Sequence, residues 1–421
     1  MCHALGSGSI PRAGDDPSMM PDARRSEAAY YFVLVNQSPS ESLIRVARGL
    51  AAAGHRVDLV CGGLPGDTPP EGVRVVRMAP YRAETMASRL TSWGTFAVQA
   101  AIWLAAIPAE ATVLACTNPP IMPGVAVWVS RVRRFAVIAR VLDVYPEVLR
   151  ATASLNRCFL WWFAATWNRS TYAKCCAVET LGPRMSELIA PYTSGTSLSV
   201  IPESVDIERP HGAGSAGCVR SRYGLPADAF VVLVSGNIGM THCLDDLAAA
   251  AALLREESIW FLISTAKPVA VRKAFGDGLH VAVMPRLSGE EYRQLLREAD
   301  LGVITLRPGV GAASFPSRTL AYLAAGLPII AITDAPSDLD DLVRAGGAGT
   351  TVVPGAPGRL ADAIRALCAD AEKRLSCSRQ ASILAERYDA AAVSAHAVER
   401  MEEVARRHIA ARGAWLSEVR M

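Results

Sequence analysis

The feature that most constrains the fold of this chain is a regular alternation of short apolar runs and amphipathic segments. Apolar runs such as Tyr31–Val35 and Leu301–Thr305 are bounded by turn residues, and segments with helical periodicity, such as Glu41–Ala53, separate them. A buried apolar strand followed by a helix is the repeating unit of a parallel sheet covered on both faces. The sequence therefore predicts an α/β fold built from doubly wound parallel sheets.

The alternation occurs twice along the chain, which predicts two domains. At 421 residues the chain is also too long for a single hydrophobic core. We expect a Rossmann-like N-terminal domain over residues 28–205, a second over residues 206–385, and a final helix within residues 386–421. Ligands of such sheets bind outside the carboxyl ends of the strands, so we expect a site in the cleft between the two domains.

Composition narrows the classes of protein that fit. Hydrophobic residues make up 51% and charged residues 20%, and the net charge of +3 gives no reason to expect a nucleic-acid partner. The ten cysteines form neither a C-x-x-C pair nor a Cys/His cluster with metal spacing, so we expect reduced cytosolic thiols and no metal. Residues 1–27 lack an apolar core segment, and we expect a disordered leader rather than a secretory signal.

The stretch "VSGNIG" leaves a predicted strand and precedes a predicted helix. Gly236 and Gly239, with Asn237 between them, would let the backbone approach a phosphate at the start of that helix. The G-x-x-G spacing also fits a plain strand-to-helix turn. His242 follows the loop, and it would either contact a phosphate or lie in the first turn of the helix.

The stretch "FPSRTL" opens a short helix further along the chain. Ser317 suits the N-cap position and Pro316 suits a helix start. Arg318 would then stand at a helix N-terminus, where a cation is unfavourable unless an anion is bound as well. A guanidinium grips a diphosphate with paired hydrogen bonds, so Arg318 is a candidate ligand of such a group. The alternative is a surface arginine in water.

The stretch "RVLDVYPEVL" places two carboxylates after another predicted strand. Asp143 and Glu147 would face the cleft there, where a carboxylate orients a sugar hydroxyl or accepts a proton. The alternative for Asp143 is a helix cap.

The stretch "CFLWWFAATWNRS" at residues 158–170 carries three tryptophans, and arginines flank it. An amphipathic helix of this composition either lies in a membrane interface or packs its aromatic rings into the core.

Several motifs together resemble one family. The chain is similar to the retaining glycosyltransferases of family four, which have the two-domain GT-B architecture, and above all to bacterial enzymes that build O-antigen, capsule and exopolysaccharide. The stretches that carry the resemblance lie between Tyr30 and about Ala371, and they include "VARGLAAAGHRVDLV", "RVLDVYPEV", "LVSGNIGMTHCLDDL" and "FPSRTLAYLAAGLPIIA".

The resemblance implies a hexosyltransferase that moves a sugar, with retention, from a nucleotide-diphosphate donor to a hydroxyl acceptor. Gly236, Asn237 and Gly239 match the family's phosphate-proximal loop. Arg318 matches the basic residue of its P-S-K motif, and Asp143 the Asp of its D-x-x-P-E motif. The family implies no metal and no cofactor besides the nucleotide sugar. It also implies a saccharide or lipid-linked saccharide acceptor, a cytoplasmic location with contact to the inner-membrane surface, and final helices that cross back to the first domain.

The chain departs from the family's pattern at several positions. Met240 and His242 stand where the family often has a basic pair, and Ala313 and Ala321 where it often has glutamates. "NQSPSES" replaces its N-terminal glycine-rich loop. Two other functions therefore stay open: a non-catalytic scaffold of a polysaccharide assembly complex, and a nucleotide-sugar epimerase on the same fold.

Overall fold

The computed structural model describes residues 29–66, 68–82, 84–152, 158–207, 218–236, 238, 241–276, 279–287 and 289–419. The expected leader at residues 1–27 lies outside the described residues, as do Asn237 and Gly239.

Within the described residues, the first sheet has seven strands, all parallel, in the spatial order β3-β2-β1-β4-β5-β6-β7. Its innermost strands are fully buried, as expected for apolar runs covered on both faces. The strands are β1 (Tyr31–Val35), β2 (Arg56–Cys61), β3 (Val73–Arg77), β4 (Thr112–Cys116), β5 (Ala136–Val141), β6 (Ala177–Thr180) and β7 (Ser197–Val200).

A second parallel sheet follows, with six strands among the described residues, in the order β10-β9-β8-β11-β12-β13. Its strands are β8 (Phe230–Gly236), β9 (Ile259–Thr265), β10 (Val281–Pro285), β11 (Leu301–Thr305), β12 (Ile329–Ile332) and β13 (Gly349–Val352). The prediction of two doubly wound parallel-sheet domains is confirmed.

Helices connect the strands and cover both faces of each sheet. Those of the first domain are α1 (Glu41–Ala52), α2 (Met86–Leu104), α3 (Met122–Arg133), α4 (Glu147–Thr152), α5 (Cys158–Tyr172) and α6 (Pro183–Thr193). The remaining helices are α7 (Cys218–Arg222), α8 (Leu244–Leu253), α9 (Pro268–Phe275), α10 (Gly289–Glu298), α11 (Arg318–Ala324), α12 (Asp338–Asp340), α13 (Pro357–Ala369), α14 (Ala371–Ala385) and α15 (Ala390–Val419). None of these described helices is long and apolar enough to cross a membrane.

The strand order determines which helices share a face of the first sheet. Helices α2, α3, α5 and α6 pack on one face, around a core that includes Phe96, Met122 and Met185. Helix α1 packs on the other face together with α15, around a core that includes Leu50 and Met401.

The final helix α15 returns to the first domain, as predicted. His55 Nε2 lies 2.7 Å from Glu402 Oε1, and His408 Nε2 lies 2.9 Å from the carbonyl oxygen of Ala109. Close packing also requires a small residue on α1, because a Cβ built on Gly49 would lie 3.0 Å from Val398. The C-terminal segment thus ties the two domains together.

Candidate active site

A cavity of about 640 Å³ lies between the two domains. Its walls come from the segments that follow the carboxyl ends of the strands in both sheets, which is where open parallel sheets bind ligands. The first domain contributes Thr117, Asn118 and Asp143 after β4 and β5, and the second contributes Lys267 and Arg286 after β9 and β10. The second domain therefore gives the cavity a positively charged side.

The glycine loop begins at the end of β8, and Arg318 lies directly against it. Gly236 has a φ of +114°, a conformation that favours glycine. A Cβ at this position would also lie 2.7 Å from Cζ of Arg318. The Arg318 guanidinium donates through Nη1 to the carbonyl oxygen of Ser235. Residues 236 and 318 are far apart in the sequence, but they are in direct contact in the fold.

His242 is the second partner of Arg318. Nη2 of Arg318 lies 2.9 Å from Nε2 of His242, and Nδ1 of His242 lies 3.1 Å from Thr241 Oγ1. Because arginine can only donate, Nε2 accepts and the imidazole proton resides on Nδ1. Helix α8 begins at Leu244, so His242 precedes the helix, and the alternative that placed it in the first turn is wrong.

Arg318 is a mostly buried cation whose hydrogen-bond partners, among the described residues, are a carbonyl and an imidazole rather than a carboxylate. Burial lowers its pKa, and the positive charge of Arg286 lowers the pKa further. A buried cation without a counter-charge is unfavourable, so this position is suited to an anionic ligand. Because Arg286 also lines the cavity, Arg318 and its hydrogen-bond partners lie next to the cavity in the same cleft.

The prediction that the Ser317 side chain caps helix α11 is wrong. Ser317 precedes α11, but its φ of −58° and ψ of −25° are helical, and its exposed side chain makes no capping hydrogen bond. An N-cap side chain accepts from the helix when its own backbone is extended, which is not the case here. The carbonyl of the buried Pro316 accepts from Thr319 N at 3.0 Å and starts the turn.

Two tyrosines that were not predicted hold the strand end before the glycine loop. The Tyr322 hydroxyl accepts from Ser235 N at 2.9 Å, and the Tyr292 hydroxyl lies 2.9 Å from Ser235 Oγ. Gly302 in β11 leaves room for the Tyr322 ring, because a Cβ there would collide with it. A glycine inside an apolar strand was the sequence signal for this close approach.

Asp143 lies in the cavity wall and also contacts the second domain. Ser314 Oγ donates to Asp143 Oδ1 at 2.5 Å, and Val144 N donates to the carbonyl oxygen of Ala313 at 2.8 Å. Burial raises the pKa of Asp143, and the hydrogen bond from Ser314 opposes that rise. The loop at residues 307–317 therefore reaches across the cleft and holds this carboxylate.

Glu147 is placed differently from the expectation that it faces the cleft. Its Oε1 accepts from the Tyr192 hydroxyl of α6 at 2.5 Å, and its Oε2 is buried without a hydrogen bond among the described residues. Burial raises the pKa of this carboxyl group. The turn of α4 points Glu147 at α6 rather than into the cavity.

The first-domain side of the cavity carries three aromatic residues, Tyr81, Trp93 and Tyr145, beside the carboxylates of Glu84 and Asp143. Nε1 of Trp93 is buried and has no hydrogen-bond partner among the described residues. Aromatic faces beside a few convergent polar groups are typical of small-molecule sites.

Two parallel-sheet domains with a ligand cleft between them and a final helix returning to the first domain define the GT-B class of glycosyltransferase folds. The chain is similar to sucrose-phosphate synthase from Thermosynechococcus elongatus, with a TM-score of 0.68 at 16% identity, covering 91% of this chain and 100% of that one. It is also similar to Anabaena Alr3699/HepE in complex with UDP and glucose, with a TM-score of 0.65 at 16% identity, covering 89% and 100%. At these identities the likeness shows the fold.

The sequence matches are more specific. Residues 229–370 match the family described as "Glycosyl transferases group 1". Over 212 residues the chain is 31% identical to D-inositol 3-phosphate glycosyltransferase 1 of Catenulispora acidiphila, which covers 46% of this chain. The match spans about half of that relative, 49% of its length. The chain is thus a GT-B-fold protein whose C-terminal domain matches the glycosyltransferase group 1 family.

Proposed function

We propose that this protein is a glycosyltransferase that transfers a sugar from a nucleotide-diphosphate donor to a hydroxyl acceptor. The observation that carries the proposal is Arg318, a mostly buried cation that lies against the glycine loop and has no carboxylate among its hydrogen-bond partners in the described residues. A diphosphate would supply the missing negative charge with a geometry that guanidinium matches. The group 1 family match over residues 229–370 supports the same reaction class.

In this proposal the second domain stabilises the leaving group. The bond between the anomeric carbon and the diphosphate oxygen breaks, and the acceptor oxygen forms the new bond to that carbon. Negative charge grows on the departing diphosphate, and Arg318 would stabilise it together with Arg286 and Lys267, which line the cavity. The departing oxygen takes the proton of the acceptor hydroxyl. His242 acts as a positioning residue, because its contact in this cluster is with Arg318.

The first domain would bind the acceptor. Tyr81, Trp93 and Tyr145 offer aromatic faces for the apolar faces of a sugar ring, and Asp143 would orient the reacting hydroxyl. We propose a saccharide or a lipid-linked saccharide as acceptor, in the assembly of a cell-surface polysaccharide or glycolipid on the cytoplasmic side of the membrane. Retention, a hexose donor, independence of metal and the lack of a further cofactor belong to the same proposal.

A second candidate is a scaffold that binds a nucleotide sugar without turnover. Ala313 and Ala321 favour it, because the resemblance to family-four glycosyltransferases implies glutamates at these two positions. Ala313 packs into the core of the first domain, and Ala321 is partly buried against the core of the second. Neither methyl group can hydrogen-bond a ligand.

Thermal unfolding with a panel of nucleotides and nucleotide sugars tests the donor site. A ligand at about 100 times its Kd stabilises the folded state by about 2.7 kcal/mol, which raises Tm by several degrees. We expect one nucleotide class to raise the Tm of the wild type and not of Arg318→Ala. Arg379→Ala, an exposed change on α14, is the matched control and should behave as wild type.

Measurement of sugar transfer then distinguishes the enzyme from the scaffold. With a suitable acceptor, Arg318→Ala should lower kcat/KM by about 10²-fold or more, as the loss of one leaving-group contact implies. A nucleotide-induced shift without transfer across a broad panel of saccharide acceptors would favour the scaffold. No shift with any nucleotide would contradict the donor site.

A further inference from the structure

A second cavity, of about 250 Å³, lies between the final helix and the edge of the first sheet. On the sheet side it is lined by Cys176, directly before β6, and by Ser197, the first residue of β7. The helix side is one face of α15, and its polar residues there are Arg400, Glu403, Arg407 and His408. We call this space the α15 cavity.

The α15 cavity is separate from the candidate active site. Residues at the starts of β6 and β7 line it, whereas the active-site cavity is lined by segments that follow the carboxyl ends of strands. The two cavities have no lining residue in common. In a parallel sheet all strands start at one edge and end at the other, and the ligands of such sheets bind at the carboxyl ends. A ligand in the α15 cavity would therefore be neither the donor nor the acceptor of the proposed reaction.

Two arginines of the α15 cavity are held side by side by one carboxylate. Arg400 donates through Nη1 to Glu403 Oε2, and Arg407 donates through Nη2 to Glu403 Oε1. Arg400 also donates through Nη2 to Ser197 Oγ at 3.4 Å, which ties it to the sheet. Arg407 uses one of its five N–H groups in this way, and the described residues offer its guanidinium no further acceptor. Glu403 thus holds both guanidinium groups at the same cavity wall.

The α15 cavity carries an excess of positive charge. Among the residues that line it, two guanidinium groups stand against the single carboxylate of Glu403. Two neighbouring carboxylates have partners of their own. Glu402 Oε1 lies 2.7 Å from His55 Nε2, and the buried Glu179 lies 3.3 Å from Arg140 through Oε2 and Nη1. One positive charge is therefore left without a counter-charge, which favours an anionic ligand.

His408 can add to this charge. Its Nε2 lies 2.9 Å from the carbonyl oxygen of Ala109, which can only accept, so Nε2 carries a hydrogen. A proton on Nδ1 would make the ring a cation without loss of that hydrogen bond, and a bound anion favours the protonated ring. At about 30 Å³ for each water, the cavity has room for about eight waters, which exceeds the size of a phosphate ion. A small organic phosphate therefore fits the space as well.

We propose that the α15 cavity binds a small phosphate-bearing molecule, which holds α15 against the first sheet. Arg400 and Arg407 would donate to the phosphate oxygens. The chain enters α15 directly after Tyr388, which packs against the core of the second domain and accepts from Val205 N at 2.9 Å. A ligand that fixes the later part of α15 would thus strengthen the link between the domains. The site goes beyond the proposed function and does not depend on it.

Alkylation of Cys176 reports whether the α15 cavity is occupied, because this exposed thiol lines it. The full-length protein reacts with iodoacetamide at constant pH in increasing inorganic phosphate, and sodium chloride of equal ionic strength is the reference. Peptide mass spectrometry measures the extent of reaction at each cysteine. At about ten times its Kd, phosphate leaves about one site in ten empty, so the reaction of Cys176 should slow about tenfold. The buried Cys116 should stay unreacted, which shows that the chain remains folded.

Arg407→Gln removes one cation at a side chain that is 73% exposed, so the fold should tolerate the change. It should raise the phosphate concentration needed for half-maximal protection about tenfold or more, as the loss of a charge-assisted hydrogen bond implies. Arg406→Gln is the matched control, because Arg406 is exposed on the same helix and does not line the cavity. It should be protected as the wild type is. Arg318→Ala should keep the protection too, because Arg318 lies in the second domain.

Three results would overturn the proposal: unchanged reactivity of Cys176 at every phosphate concentration, equal slowing by sodium chloride, and equal protection of the wild type and Arg407→Gln. Protection that Arg318→Ala abolishes would also overturn it, because the phosphate would then act from the donor site. Protection of Cys176 in a protein whose Tm no nucleotide raises would support the α15 cavity and contradict the proposed function.

Discussion

The hydrogen bond between Arg318 and His242 determines the tautomer of the imidazole and the orientation of the guanidinium. The guanidinium donates to Nε2, so the imidazole is neutral and donates through Nδ1 to Thr241. Ser235 and His242 accept from two of the five guanidinium N–H groups, and the described residues offer the guanidinium no further hydrogen-bond partner. We therefore infer that His242 holds Arg318 in place.

Substitution of His242 should weaken donor binding through Arg318. A hydrogen bond to a charged group contributes about 1.5–3 kcal/mol, so His242→Phe, which keeps a ring but removes the acceptor, should raise the Kd of the stabilising nucleotide by about tenfold or more. His242→Gln retains an acceptor oxygen and should restore much of the affinity. Calorimetric titration measures both. If Gln and Phe weaken binding equally, His242 acts through packing rather than through its acceptor.

Helices α4 and α6 are in contact through the side chain of Glu147, a carboxylic acid on α4. Glu147 accepts from Tyr192, and its other oxygen is buried without a hydrogen bond among the described residues. Burial raises the pKa of Glu147, so the folded state favours the protonated form. The protonated carboxyl group adds to the free energy of unfolding in full below the ordinary pKa of glutamate. This stabilisation is lost as the pH rises through the raised pKa of the folded state.

Glu147→Gln should remove this pH dependence. The amide oxygen can still accept from Tyr192, and no charge is buried at neutral pH. We expect the Tm of the variant to equal or exceed that of the wild type at neutral pH, with a smaller fall between mildly acidic and neutral pH. Thermal unfolding across that range measures both quantities. A variant less stable than the wild type at neutral pH would contradict a net cost of burying this carboxylate.

Strands and helices followed from the sequence because burial on both faces leaves a local apolar signature. The predicted strands Tyr31–Val35 and Leu301–Thr305 are both present with the bounds that the sequence indicated. The cleft followed from topology. The contacts of the candidate site did not, because they join distant segments: Gly236 with Arg318, Ser314 with Asp143, and Tyr322 with Ser235. Ser317 and Glu147 were misjudged because local motifs do not determine where side chains point.

At the scale of the whole molecule, one domain caps a helix of the other. Helix α6 starts after Gly182, which has no side chain to cap it. Asp338 from the second domain accepts from Arg184 N at 2.9 Å and from Met185 N at 3.0 Å. A carboxylate at a helix N-terminus is favourable, so the cap stabilises α6 and the domain contact together. A Cβ on Gly182 would overlap the Asp338 carboxylate.

Gly182→Ala should therefore loosen the contact between the domains without disturbing the residues around Arg318. The methyl group displaces Asp338, while the cluster around Arg318 lies within the second domain. We expect a larger radius of gyration in small-angle scattering and lower transfer activity, with the nucleotide-induced rise in Tm retained. Gly413→Ala on α15, where a Cβ meets nothing within 4 Å, is the control. An unchanged radius of gyration would mean that Asp338 moves aside at little cost.

The loop at residues 307–317 links the two sides of the cleft through two hydrogen bonds, from Ser314 to Asp143 and from Val144 to Ala313. A rotation that widens the cleft must either break both bonds or carry residues 307–317 along with the first domain. In the first case, the cleft opens only when both bonds are lost together. In the second, the loop leaves its own domain and stays with the first. If the cleft binds donor and acceptor as we propose, the order in which the two products leave depends on which of these bonds breaks first.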